Sequence, residues 1–286
     1  RTAGFRFCGL RNRIRHCRDK FEALARAETD VANAMRQIRE WEKEHEGIRR
    51  LWGEGNVTAA GTAVQRLEQR LDAAWQGWQP LFRRHTERLR VRMDGRRWLR
   101  PNGRLLVPFA PHSMYTTFPD QRGWRQACRE DYRAFSDWGF NGTRLEVKYG
   151  HLEPRPGVFD PEYLFLLHNV IRWCDRYGLY VLVDLHWPYP GWFYRGPDDR
   201  PNPNREEQNP YHNPGALADT YRRLAAEFAI HSNILAWELP TNEPAISSIE
   251  IWPKEGNDPT IRDIPALQHS WNRWLHEQYG TRAALH

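Results

Sequence analysis

Four groups of polar and aromatic residues stand directly behind or at the end of apolar runs. His112 and Tyr115 follow Leu105–Ala110, Arg144 lies in Phe140–Val147, His186 and Trp187 close Leu179–His186, and Asn242-Glu243 follow Ile234–Leu239. A carboxyl, an amide, a guanidinium and an imidazole brought together can move a proton and steady a charged intermediate. Other chemistries lack their residues. No HExxH and no paired His/Cys spacing offers a metal site, and no Gly-x-Ser-x-Gly elbow offers an activated serine. No GxGxxG follows the first run and no GxxxxGK[ST] occurs, so phosphate-cradling turns are missing. No cofactor is called for.

The elements that must position these groups alternate. Apolar runs at Leu105–Ala110, Phe140–Val147, Leu179–His186 and Ile234–Leu239 are predicted strands. They are followed by predicted helices around Gly123–Trp138, Pro161–Tyr177, Pro214–His231 and Pro265–Tyr279. Near-continuous apolar strands between helices predict a parallel sheet covered on both faces. Functional groups at the C-terminal ends of successive strands favour a (β/α)8 barrel over a doubly wound sheet. Ahead of the first strand, Asp94-Gly95 and Asn102-Gly103 predict a small β-hairpin.

The N-terminal third is different. Leu24, Ala27, Val31, Ala34, Ile38, Trp41 and Ile48 form one heptad stripe, broken only by His45. Val57, Ala60, Val64, Leu67, Leu71, Ala74, Trp78 and Leu81 form a second. The short link Gly53–Asn56 makes neighbours antiparallel, predicting a helical hairpin over residues 18–52 and 57–79 that ends near Pro80. The expected organisation is an unassigned segment 1–17, a coiled-coil-like hairpin 18–82 and an α/β barrel unit 90–286.

Charge follows the same division. Residues 1–100 hold 23 basic and 13 acidic residues and residues 101–286 hold 19 and 23, which together give the net +6. Only four of the 42 basic residues are lysines, a bias toward arginine across the whole chain rather than a nucleic-acid footprint. No apolar run approaches the about 20 residues of a membrane span. Neither nucleic acid nor membrane is an expected partner; self-association through the hairpin or an open sheet edge is. Four cysteines without a CxxC pair suit neither a zinc ribbon nor a disulfide framework. The opening RTAGFRFCGL has no apolar h-region, so the compartment is left unassigned, and a start at Arg1 is expected of an internal, processed or truncated chain.

Gly139-Phe140-Asn141-Gly142-Thr143-Arg144-Leu145, Val181-Leu182-Val183-Asp184-Leu185-His186, and Trp237-Glu238-Leu239 followed by Thr241-Asn242-Glu243-Pro244 resemble the cellulase-like family 5 glycoside hydrolases, over roughly residues 98–280. The resemblance implies retaining hydrolysis of β-linked oligo- or polysaccharides, a carbohydrate partner and a secreted or periplasmic setting. Breaking a glycosidic bond needs an acid on the leaving oxygen and a second carboxylate across the sugar ring. The resemblance makes Glu243 the acid/base, Asn242 a ligand of the sugar 2-OH, Arg144 the group that orients the nucleophile, and His186 a contact to sugar or carboxylate. The loop Trp187–Tyr194, with Trp187 and Trp192, has aromatic faces that can stack on sugar rings; His112 and Tyr115 are further candidate contacts.

Glu238 lies five residues before Glu243, about 16 Å along an extended chain. That exceeds the about 5–5.5 Å of a retaining pair, so it reads as a structural carboxylate. Pro240 and Thr241 put one residue more than the family pattern before Asn242, which implies a bulge. The glutamates after Glu243 are Glu250, Glu255 and Glu277, none placed as the family's seventh-strand nucleophile. The chain is therefore expected to hold about four βα units and the acid/base alone, with Arg144 left as an unpaired charge or, on the alternative reading, as a core-lining ion-pair partner of Glu146 or Glu238. The competing expectation is an inactive carbohydrate-binding or scaffolding remnant.

Overall fold

The computed structural model of the chain describes residues 2–26, 31–113, 128–155, 157–186, 214–238 and 265–280. Three helices come first: α1 (Thr2–Ala25), α2 (Ala32–Gly53) and α3 (Val57–Arg84). Leu10, Ile14, Cys17, Phe21 and Leu24 step by four, three, four and three, so one face of α1 is apolar. All five are buried, in one core with Ile38, Trp41 and Ile48 of α2 and Val64, Leu67 and Leu71 of α3.

The helix expected over residues 18–52 is thus two helices, and segment 1–17 belongs to α1. A single straight helix would hold its stripes end to end. With the chain folded back, Phe21 and Trp41 both reach the Trp78 ring, at centroid distances of 4.7 and 5.6 Å. Pro80 does not end α3, which runs on to Arg84. An interior proline costs about 3 kcal/mol. Phe82, just beyond it, is buried against Phe21, Trp75 and Trp78 and offsets that loss.

A three-stranded antiparallel sheet follows: β1 (Arg92–Asp94), β2 (Arg97–Leu99) and β3 (Leu105–Leu106), in that order. Its turns place Gly95 at φ 60° and Gly103 at φ 81°, the left-handed region that favours glycine. The expected first parallel strand, Leu105–Ala110, is corrected here. Leu105 and Leu106 pair antiparallel with β2, and β4 (His112–Ser113) is the first parallel strand. Val107 and Phe109 between them are more than 60% exposed, so this run is not a core strand.

The parallel sheet has the order β4, β5 (Gly142–Lys148), β6 (Tyr180–His186) and β7 (Ile234–Glu238). Helices α4 (Arg129–Asp137), α5 (Tyr149–Leu152), α6 (Pro161–Arg176), α7 (Pro214–Glu227) and α8 (Pro265–Tyr279) alternate with the strands. Asp160 caps α6 by accepting from Tyr163 N at 2.7 Å, and Pro161 takes the first turn, where no N–H is needed. Alternate residues of β5 and β6 (Leu145, Val147, Val181, Val183, Leu185) bury on Leu167, Val170, Ile171 and Cys174 of α6. The other face carries the polar groups.

Helix α1 binds the end of this sheet where the strands begin. Asn12 donates to the carbonyls of Ser136 and Phe140, before β5, at 3.2 and 2.9 Å. Lys20 reaches Asp175 at 2.8 Å and Ser232, before β7, at 3.0 Å. The helical unit is therefore a foot at the opposite end of the strands from His112, Asp184 and Glu238. No helix among the described residues is long and apolar enough to cross a membrane.

Candidate active site

Register sets the site. His112 of β4 lies opposite Arg144 of β5, Glu146 opposite Asp184 of β6, and Asp184 opposite Glu238 of β7. Parallel partners share a face, and Arg144 and Glu146 share one because they are two apart. The face turned away from the α6 core thus gathers His112, Arg144, Glu146, Asp184 and Glu238 near the strands' C-terminal ends.

Arg144 is the hub. Its Nε and Nη2 donate to the two Glu238 carboxylate oxygens at 2.6 and 3.0 Å, a fork on a fork. Nη2 also lies 3.0 Å from Asp184 Oδ2. Nη1 lies 3.0 Å from His112 Nε2; arginine only donates, so that ring nitrogen accepts. The same nitrogen is 3.5 Å from Glu146 Oε2. Glu146 and Asp184 are buried. The hydrogen bond that Arg144 donates to Glu238, then the charges of Asp184, Glu238 and Glu146, outweigh burial and raise the Arg144 pKa above its ordinary value. Arg144 is thus not the unpaired charge expected of it: register delivers two carboxylates to one guanidinium.

Arg144 thus meets Glu238 and Asp184 directly, and Glu146 reaches the cluster through His112. Tyr221 of α7 donates to the Glu238 carbonyl at 2.7 Å, and Tyr163 of α6 accepts from Lys148 N at 3.0 Å. The two tyrosines tie the ends of β7 and β5 to their helices. Sequence reasoning missed both; Tyr163 follows the Asp160-Pro161 start of α6, the one signal that could have placed it.

Of the sequence-derived candidates, Arg144 and His112 are brought into contact. His186 ends β6 with its backbone opposite Lys148. Tyr115, Trp187, Trp192, Asn242 and Glu243 lie outside the described residues, as does the extra residue before Asn242. Glu238 holds Arg144 through both carboxylate oxygens. Among the described residues no group of His, Cys, Asp and Glu could hold a metal ion.

Cellodextrinase A of Ruminococcus flavefaciens is 26% identical over 76 residues, 22% of this chain and 23% of that protein. Endo-glycoceramidase II from Rhodococcus sp., solved as a lactosyl-enzyme intermediate, is 22% identical over 49% of this chain and 41% of that one, with a TM-score of 0.39. An endogalactoceramidase structure is 22% identical over 54% and 44%, with a TM-score of 0.43. The chain thus spans less than half the length of each of these relatives. The model of the family described as Cellulase (glycosyl hydrolase family 5) matches residues 112–276, more than half of the chain and the stretch that holds the Arg144 cluster, and the chain belongs to that family.

Proposed function

We propose that the protein hydrolyses the O-glycosidic bonds of β-linked oligo- or polysaccharides by a retaining two-carboxylate mechanism. In this reading residues 90–286 hold the first four βα units of a (β/α)8 barrel. They carry the acid/base Glu243 and not the nucleophile. Glu243 protonates the leaving oxygen, then takes a proton from the water that releases the sugar. Asn242 hydrogen-bonds the sugar 2-OH, His186, His112 and Tyr115 contact the sugar at the mouth, and Trp187 and Trp192 stack on the substrate. The observation that carries the reading is the Arg144 cluster. It stands at the C-terminal ends of adjacent parallel strands, ahead of Asn242-Glu243 in sequence and inside the stretch that matches the family model.

The test is Glu243→Gln in the full-length protein. Hydrolysis of substrates with poor leaving groups should be lost, while glycosylation by activated aryl β-glycosides, which need no protonation, should survive. Near wild-type hydrolysis of an unactivated substrate by the variant would overturn the assignment. In this reading the second carboxylate is not among residues 1–286, which by themselves should turn over no aryl β-glycoside. Turnover by this chain that Glu243→Ala abolishes would sink that part of the proposal.

A further inference from the structure

A cavity of about 220 Å³, walled in part by Phe82 and Ile230, lies on the seam between the helical foot and the barrel unit. It is lined by Gln79, Arg83 and Thr86 from α3 and the turn after it, by Arg172 of α6, and by His231 and Ser232 before β7. Its size is below the about 300–1,000 Å³ of sites for drug-sized molecules. Arg83 and Arg172 come from different elements, both are exposed at the rim, and neither has a carboxylate partner among the described residues.

The floor is built for an acceptor too. Ser232 is 7% exposed, and its Oγ accepts from Lys20 Nζ at 3.0 Å. That leaves the hydroxyl proton to donate, and the ammonium behind it strengthens the donor. The Gln79 Nε2 amide is buried with no hydrogen-bond partner. The one acid on the wall, Asp175, is already bridged by Lys20 at 2.8 Å and by His16 at 2.8 Å. Arg83, Arg172 and Lys20 against Asp175 leave the cavity with a surplus of two positive charges.

We propose that this cavity binds a tetrahedral oxyanion, phosphate or sulfate, free or as a small monoester, held by Arg83 and Arg172 at the rim and by the Ser232 hydroxyl at the floor. Bound there, the anion ties α3 to α6 and to the turn before β7, and so fastens the foot to the sheet. The site is independent of the glycosidase reading, because it lies at the end of the strands away from Arg144.

The test titrates inorganic phosphate and, separately, glucose 6-phosphate into the chain by calorimetry at constant ionic strength. One saturable site per chain is expected for phosphate. Binding of glucose 6-phosphate as well assigns the monoester, and its failure to bind assigns the free ion. Arg83→Gln and Arg172→Gln should each weaken binding about tenfold, the effect of one hydrogen bond to a charged group. Arg66→Gln, which removes the same charge from an exposed part of α3 outside the cavity, should leave affinity unchanged. Both rim variants replace exposed side chains, and circular dichroism checks that they fold. No saturable binding of either ligand, full affinity in both rim variants, or an equal loss in Arg66→Gln would overturn the proposal.

Discussion

Lys20→Met is the substitution with the clearest consequence for the fold. Lys20 is 1% exposed, and its ammonium stands 2.8 and 3.0 Å from the two Asp175 oxygens. It also lies 5.4 Å from the Trp75 ring centroid and 4.9 Å from that of Phe82. Methionine keeps an apolar stem against both rings and removes only the charge. Burial by itself pushes the Asp175 pKa up; the Lys20 charge, then the His16 hydrogen bond, outweigh it and hold the group well below the usual carboxylate range. Breaking one side of such a pair costs about 3–5 kcal/mol. At about 2–4 °C per kcal/mol the midpoint should fall by roughly 6–20 °C.

Thermal melts followed by circular dichroism at pH 7 read that loss, with Asp175→Asn and the double variant alongside. The double variant buries no orphan charge and should lose less than the two single losses added together. The pH dependence has a definite sign. In the wild type, Asp175 contributes stability above its unfolded pKa of about 3.9, and loses it as pH falls below that value. Without Lys20, burial raises the folded pKa, so the deficit of the variant should shrink as pH falls from 7 toward about 4. A loss below about 1 kcal/mol, or a double variant that is simply additive, refutes the reasoning.

Gly9→Ala should destabilise, although alanine in a helix interior ordinarily gains about 1 kcal/mol over glycine. An added Cβ would meet Asp137 of α4, 3.2 Å from its Cα, so α1 and α4 must separate at about 1–3 kcal/mol; a urea midpoint at or above wild type contradicts the close approach. Burial first, and then the neighbouring His168, push the His231 pKa down to about 3. The unfolded chain therefore binds a proton that the folded one refuses. This share of stability is full above pH about 6.5 and falls by about 1.4 kcal/mol per pH unit on the way down to about 3. Urea melts at pH 7.5 and 5 should show a smaller pH dependence in His231→Gln, and an unchanged slope would exclude His231 as the group.

Buried apolar runs were legible because their neighbours hardly alter their preference. β5, β6, β7 and α6 lie within about two residues of their expected ranges, while the alternation that turns Leu145, Val147, Val181 and Val183 onto α6 emerged only with the structure. Helix α1 was not legible. Its buried side holds Asn12, Arg13, His16, Asp19 and Lys20, each at most 6% exposed, among the leucines and aromatics. Charges of that kind read as a solvated face until a partner is known, and the partners are distant in sequence: Asp175 for Lys20, Asp72 for Arg13, and Arg100 for Asp19.

The same division runs through the candidate site. Residue order alone put His112, Arg144 and His186 at or near the ends of consecutive strands, since a strand must carry its last residues to one end of a parallel sheet. Which of them touch was decided by register. A one-residue slip of β7 would turn Glu238 to the other face, and Arg144 would lose its fork. The pairing of Arg144 with both Glu238 and Asp184 is a property of three strands held side by side. No single segment contains it, because the energy of a guanidinium between carboxylates depends on distances of about 3 Å, and those exist only once the sheet has formed.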